Sequence, residues 1–144
     1  MKTVGDLLKV KGHRVWSVAP ASTVLEALRL MAEKDVGALL VMQGETVVGL
    51  ISERDYARKV FLKGKSSPGT PVREIMTERV LAVSPDRTIE ECMVLMTAHR
   101  VRHLPVMEGG RIAGLISIGD VVKASIEEKD FLIKQLENYI TGSS

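Results

Sequence analysis

The chain has 144 residues, a formal net charge of +2, 45% hydrophobic and 26% charged residues. That composition suits a globular fold with a sizeable core, and so small a net charge gives no argument for nucleic acid or an acidic membrane as partner. With Cys92 as the sole cysteine, an intramolecular disulfide and a cysteine-rich zinc site are both excluded.

In chain order, Met1 to Asp6 meets an acid before any long apolar run, which speaks against a signal peptide and makes a cytoplasmic protein the default. No apolar stretch approaches the length of a membrane span. Val4 to Leu8 reads as a short helix, and Val15 to Val18 as a strand. Thr23 with Glu26 three residues on is a capping-box pattern, followed by apolar residues at helical spacing, Val24, Leu28 and Met31. Ala38 to Met42 and Thr46 to Ser52 are two β-like runs split by Gln43-Gly44-Glu45, the pattern of an antiparallel hairpin. A helix follows from Asp55 to about Leu62. Lys63 to Pro71, rich in glycine, proline and serine, reads as a surface linker.

Then the order repeats. At an offset of 65, Pro20–Phe61 aligns with Pro85–Ile126 without a gap, and 15 of 42 pairs are identical. Val72 to Met76 resembles Val4 to Leu8 and opens the second copy. The first copy carries three extra residues around Lys11-Gly12-His13. Thr88 and Glu91 repeat the capping pattern, and Leu104 to Met107 with Arg111 to Ser117 repeats the hairpin, Pro105 placing its strand at an edge or a strand start. A helix is expected from Asp120 to about Ile126. Beyond it, Phe131, Leu132, Leu136, Tyr139 and Ile140 share one helical face, suited to cover either this chain's core or a partner's. The expected division is a first repeat over 1–65, a linker over 66–71, a second repeat over 72–126 and a C-terminal helix and tail over 127–144.

The densest identity is Gly49-Leu50-Ile51-Ser52-x-x-Asp55 against Gly114-Leu115-Ile116-Ser117-x-x-Asp120. A strand end, a hydroxyl and a first-turn carboxylate admit two readings. Ser52 and Ser117 are N-caps and Asp55 and Asp120 first-turn acids, or the free N–H groups and hydroxyl receive a phosphate while the carboxylate accepts from ribose hydroxyls. Retention of the pair in both copies favours the second reading. The methionines Met31, Met42, Met96 and Met107, which repeat between copies, read as core.

The twofold repeat, Val101-Arg102-His103-Leu104-Pro105-Val106 and both Gly-Leu-Ile-Ser-x-x-Asp segments together resemble a tandem pair of cystathionine-β-synthase (CBS) domains, a Bateman module of the small stand-alone bacterial type. The resemblance runs from Val4 to about Ile126. It implies an α+β fold of two pseudo-twofold-related β-α-β-β-α units packed through their sheets, plus the C-terminal helix, and a homodimer. It also implies clefts that bind AMP, ATP, NAD(H) or S-adenosylmethionine as regulatory ligands, with no metal. By resemblance, Asp55 and Asp120 hold the ribose, and Ser52 and Ser117 face ribose or phosphate. The adenine slot falls at Val36-Gly37-Ala38 and Val101-Arg102-His103, beside Leu50 and Leu115. Backbone around His13 to Trp16, Val15 included, and from Thr77 to Val80 reads the base edge.

Arg54, Arg100, Arg102 and His103 suit a phosphate end, or are surface charges and, for His103, a buried ring. Trp16 stacks on a base or packs in the core or a dimer face. Because Gly37 and Ala38 stand where the second copy has Arg102 and His103, and Arg54 where it has Gly119, the two sites are expected to be chemically unequal.

Three functions remain in view. The first is a non-catalytic module that senses adenine nucleotides and signals to a separate protein. The second is a nucleotide-converting enzyme, against which stands the absence of a Walker loop, a Gly-x-Gly-x-x-Gly or a paired-histidine motif. The third is a ligand-free structural adaptor.

Overall fold

A computed structural model describes residues 1–141; residues 142–144, the end of the expected tail, lie outside the described residues. The elements in order are α1 (Val4–Lys11), β1 (Ser17–Val18), α2 (Val24–Lys34), β2 (Ala38–Gln43), β3 (Thr46–Ser52), α3 (Glu53–Tyr56), α4 (Ile89–His99), β4 (His103–Glu108), β5 (Arg111–Ser117) and α5 (Ile118–Thr141). A π-helical turn (Ala57–Phe61) follows α3, and a 3-10 turn (Val72–Glu74) opens the second copy. The fold is α+β with two small sheets, ordered β1-β2-β3 and β4-β5.

Of the two expected capping boxes, the one at α4 forms in full and the one at α2 by half. Thr23 Oγ1 accepts from the Glu26 N–H (3.1 Å) at the start of α2. Thr88 and Glu91 exchange reciprocal bonds at the start of α4. Each supplies a partner to N–H groups that a helix start leaves orphaned. Both helices end on a residue in the left-handed region, Asp35 (φ 54) and Arg100 (φ 53), whose N–H groups return to the carbonyls of Met31 and Met96. Both hairpins turn through positive-φ glycine, Gly44 in one and Gly109-Gly110 in the other, a conformation that other residues resist.

The parallel pairing repeats as well. Val18 is registered with Val41 in the β1–β2 pair, and Val83 bridges Val106 in parallel, the same pairing one repeat later. β1 is shorter than the expected Val15 to Val18, because only Ser17 and Val18 find ladder partners on β2.

The compact units do not follow the repeats. Among the described residues, one contains 14–81 with 109–112; the other contains 1–13, 82–108 and 113–141. Each copy's opening segment therefore packs on the body of the other copy. In one unit Val72 N–H donates to the Ser22 carbonyl (2.7 Å), Arg73 N–H to Pro20 (3.0 Å) and Val24 N–H to Thr70 (2.9 Å). In the other, Val4 N–H donates to Arg87 (2.8 Å), Gly5 N–H to Pro85 (2.8 Å) and Ile89 N–H to Lys2 (3.0 Å). Val72 and Ile75 join Val24, Ala27, Met31, Leu39, Val41, Ile51 and Val60 in one buried cluster.

Glycine in each Gly-Leu-Ile-Ser segment admits this cover. A Cβ on Gly49 would lie 2.7 Å from Met76 Sδ and 3.0 Å from the Thr77 carbonyl oxygen, and one on Gly114 would lie 2.7 Å from Leu8 Cδ2. Leu8 and Met76 are themselves equivalent positions of the two opening segments.

Three elements differ from expectation. The segment at 72–76 is a single 3-10 turn, whereas α1 is a regular helix of 8 residues. α3 has only 4 α-helical residues before it widens into the π turn. The helix expected from Asp120 to about Ile126 continues without interruption to Thr141, since no glycine or proline breaks it, and absorbs the C-terminal helix. Its Phe131, Leu132, Leu136, Tyr139 and Ile140 are exposed on this chain. No helix among the described residues is long and apolar enough to cross a membrane. Cys92 is fully buried in α4, and desolvation pushes its thiol up to about 11, so it is unreactive near neutral pH.

Candidate functional site: two serine–aspartate boxes

Both Ser-x-x-Asp segments stand where a strand runs directly into a helix, β3 into α3 and β5 into α5. In the first, Ser52 Oγ accepts from the Asp55 N–H (3.2 Å), and Asp55 Oδ2 accepts from the Ser52 N–H (3.0 Å) and hydroxyl (3.1 Å). In the second, Ser117 Oγ accepts from the Asp120 N–H (3.1 Å) and Asp120 Oδ2 from the Ser117 N–H (2.8 Å). Each motif is thus a complete capping box, and the structural reading of these residues is realised in both copies. It leaves the ligand reading open, because a box engages one carboxylate oxygen and a carboxylate offers about four acceptor positions.

The slot segments are tied to the boxes. Gly37 carbonyl accepts from the Glu53 N–H (3.1 Å), and Arg102 carbonyl from the Ile118 N–H (2.8 Å). Val36-Gly37-Ala38 thus lies against the first box, and Val101-Arg102-His103 against the second. Val36, Gly37, Val101 and His103 are half-buried, Ala38 is buried and Arg102 exposed. Leu50 and Leu115 lie on β3 and β5, two residues before the serines. Arg54 and Arg100 are exposed on α3 and at the end of α4.

The base-edge residues divide. Thr77 exchanges both backbone bonds with Leu50 (2.8 and 3.0 Å), so its N–H and carbonyl are already paired, while its hydroxyl comes within 3.5 Å of Asp55 Oδ1. Trp16 carbonyl accepts from Leu40 N–H (3.2 Å), and the Trp16 ring lies against the core cluster with Lys34 Nζ 4.4 Å and Arg14 Cζ 5.5 Å from its centroid. Val15 and Val80 are half-buried.

The two carboxylates sit in different surroundings. Asp55 is closed in: its side chain is 11% exposed, and Oδ1 pairs with Lys59 Nζ (3.0 Å), which also donates to the Ile75 carbonyl (3.0 Å). Asp120 is 26% exposed, and Oδ2 takes an ion pair from Lys11 Nζ (2.5 Å), which also donates to the Leu115 carbonyl (2.7 Å). Burial raises the Asp120 carboxyl, but hydrogen bonds from Lys11 and Ser117, together with the Lys11 charge, outweigh it and hold the group below the usual carboxylate value. Burial first, then the Lys11 charge, pushes His103 below its ordinary value, with Asp120 opposing.

Lys11 and Lys59 escape sequence reasoning as site residues. Lys59 had a signal, since it lies four residues after Asp55 on one helical face. Lys11 had only the three-residue insertion. Among the described residues no group of three His, Cys, Asp or Glu side chains could hold a metal ion. The chemistry present is that of a polar cradle: hydroxyl, carboxylate and backbone groups at a strand end. It fits a sugar's vicinal hydroxyls, with Asp120 the more accessible acceptor.

Comparison with known proteins agrees with this layout. The CBS-domain family model matches residues 4–61 and again 72–127. A CBS domain-containing protein of Arabidopsis thaliana, CBSX3, mitochondrial, is 37% identical over 150 residues, covering 97% of this chain and 72% of its own length. A solved structure of a protein with CBS domains from Burkholderia ambifaria MC40-6 is 50% identical with a TM-score of 0.85, covering 88% of this chain and 95% of that one. The CBS-domain pair of protein MJ0100, solved in complex with 5′-methylthioadenosine and S-adenosyl-L-methionine, has a TM-score of 0.79 at 19% identity over 89% of this chain and 98% of that one, a likeness of fold. The chain belongs to the CBS-domain family and is a tandem pair of such domains.

Proposed function

We propose that this chain is a non-catalytic sensor that binds an adenosyl ligand, such as AMP, ATP, NAD(H) or S-adenosylmethionine, at its two serine–aspartate boxes and reports it through a homodimer to a separate protein. The observation that carries this reading is the pair of carboxylates at equivalent strand–helix junctions, Asp55 buried and Asp120 half-buried, each laid against a slot segment through Gly37 or Arg102. Asp55 and Asp120 would hold ribose hydroxyls, and Ser52 and Ser117 would stay in the box and fix the carboxylate's direction. The bound nucleotide itself supplies the signal. The adenosyl ligands of MJ0100 support the ligand class, and the exposed apolar face of α5 offers a surface for a second chain.

A ligand that binds only the folded chain stabilises it by about 2.7 kcal/mol at a hundredfold its dissociation constant. Mass spectrometry of molecules released from freshly purified protein, followed by thermal shifts with AMP, ATP, NADH and S-adenosylmethionine, tests the reading. Because Asp55 and Asp120 complete capping boxes, alanine would confound binding with folding. Asp120→Asn keeps an acceptor oxygen for the Ser117 N–H, so it should abolish the ligand-dependent shift of that site while leaving the ligand-free melting temperature within a few degrees. Turnover of ATP or NADH by pure protein, lost in Asp120→Asn, would instead establish an enzyme. The completeness of both boxes favours the ligand-free adaptor as second reading; absence of any released molecule and of any shift at millimolar nucleotide would establish it.

A further inference from the structure

The second box is met by a lysine from an opening segment, whereas the first is met by Lys59 from its own π turn. Lys11 belongs to the Lys11-Gly12-His13 insertion, which the opening segment of the second copy lacks. In the first copy Leu50 is paired with the backbone of Thr77. In the second, side chains take the place of that backbone: Lys11 Nζ donates to the Leu115 carbonyl, and His13 Nδ1 lies 2.8 Å from the Ala113 carbonyl, two residues earlier on β5. The insertion thus grips β5 at alternate carbonyls and delivers an ammonium to Asp120.

The charge balance follows. Beside Asp120 stand the Lys11 ammonium and His103, whose burial disfavours its charged form. Beside the first box, an open recess lined by Val36 and Gly37 also carries the carboxylates of Asp35 and Glu53. Lys59 answers Asp55 there, but two further carboxylates stand nearby, so an anionic ligand group is favoured more at the second box than at the first.

We infer that Lys11 selects the charge of the ligand at the second box, making it a site for phosphorylated adenosyl compounds over uncharged nucleosides. This rests on the adenosyl-binding reading of the boxes. An uncharged nucleoside reaching Asp120 meets a carboxylate already paired, and its hydroxyls compete with a charge-assisted bond while stranding the ammonium. A nucleotide brings its own anion. As the ribose hydroxyls take the carboxylate, the ammonium, on a flexible four-carbon stem, transfers to the phosphate, and no charge is left unpaired.

Removing Lys11 therefore acts on the two ligand types in opposite directions. In Lys11→Met the phosphate loses its cation and faces an unmasked Asp120, whereas the nucleoside finds the carboxylate unencumbered. The test is titration of the full chain with AMP and with adenosine, following the backbone amide signals of Ser117 and Asp120 by nuclear magnetic resonance so that the second box is read apart from Ser52 and Asp55. In Lys11→Met, AMP binding at Ser117 and Asp120 should weaken by about tenfold, the size of one lost charge-assisted bond. Adenosine binding there should hold or tighten, and Lys11→Arg should keep the preference for AMP. Equal weakening of both ligands would overturn the inference and leave Lys11 as a structural tie for the end of α1. So would an unchanged AMP-to-adenosine ratio. If the wild-type chain binds neither ligand at either box, the adenosyl reading itself fails, a result distinct from binding without discrimination.

Discussion

The two copies are alike in their frame and unlike at their boxes. The frame bonds recur residue for residue: Val72 to Ser22 answers Val4 to Arg87, and Val18 with Val41 answers Val83 with Val106. Divergence begins where the opening segments end. The first-copy segment continues as α1 to Lys11, while the second-copy segment stops after one 3-10 turn and pairs Thr77 with Leu50. The Thr77 backbone, with Lys59, closes the first box, while the side chains of Lys11 and His13 cover the second. A side chain can move aside where a ladder cannot, so duplication has preserved the scaffold while freeing one site to differ.

The largest effect expected from breaking this comparison is at the equivalent cover positions. Leu8 is 1% exposed and Met76 only partly buried. Leu8→Ala should cost about 2–5 kcal/mol and Met76→Ala clearly less, measured by urea unfolding. Equal costs would mean the two covers are energetically the same despite their different helices.

Next come the glycines beneath those covers. Gly49→Ala drives a Cβ towards the Thr77 carbonyl oxygen as well as Met76, whereas the three atoms nearest a Cβ at Gly114 all belong to the Leu8 side chain. Overpacking of this kind costs about 1–3 kcal/mol. Gly49→Ala should fall in that range and Gly114→Ala below it, because a methyl group yields more readily than a backbone carbonyl. The reverse order in denaturant midpoints would show that buried Leu8 is the stiffer neighbour.

The smallest effect concerns pH. The folded chain holds His103 below its ordinary value of 6.5, chiefly by burial, so the unfolded chain binds a proton more readily. Stability contributed by neutral His103 is complete above 6.5 and is lost as pH falls from there through the lowered folded value. The first copy has Ala38 at this position. His103→Gln should flatten the decline in stability as pH falls below 6.5, and an unaltered slope would assign it to another group.

Much of this was legible in the sequence because it is local. Capping boxes are three residues long, the hairpins turn on Gly44 and Gly109, and both sites announce themselves by repetition. The exchange of opening segments was not legible: Val4-x-x-Leu7-Leu8 carries the same apolar pattern whichever body it covers, and only long-range packing chooses. Nor was the role of Lys11, since nothing local marks a lysine whose partner lies 109 residues away. The π turn after α3 left no trace either. The Ser-x-x-Asp motif was legible as two alternatives, and the geometry shows that the capping role is filled without using up the carboxylate.

The exchange of opening segments has a consequence for ancestry and for dissection. A fragment ending at residue 65 would keep the helix that seats over Gly114 and lack Val72 and Ile75, which fill its own core. It could satisfy both needs only by trading that helix with another copy of itself, seated over Gly49. A lone primordial repeat faced the same problem, so the tandem chain reads as a fused dimer in which a trade between molecules became a trade within one. The joining segment raises the effective concentration of each cover and also accepts backbone bonds from Val24 and Leu25 through Thr70 and Ser67. Cutting it next to Gly64, with both halves present, should therefore weaken the fold chiefly through dilution.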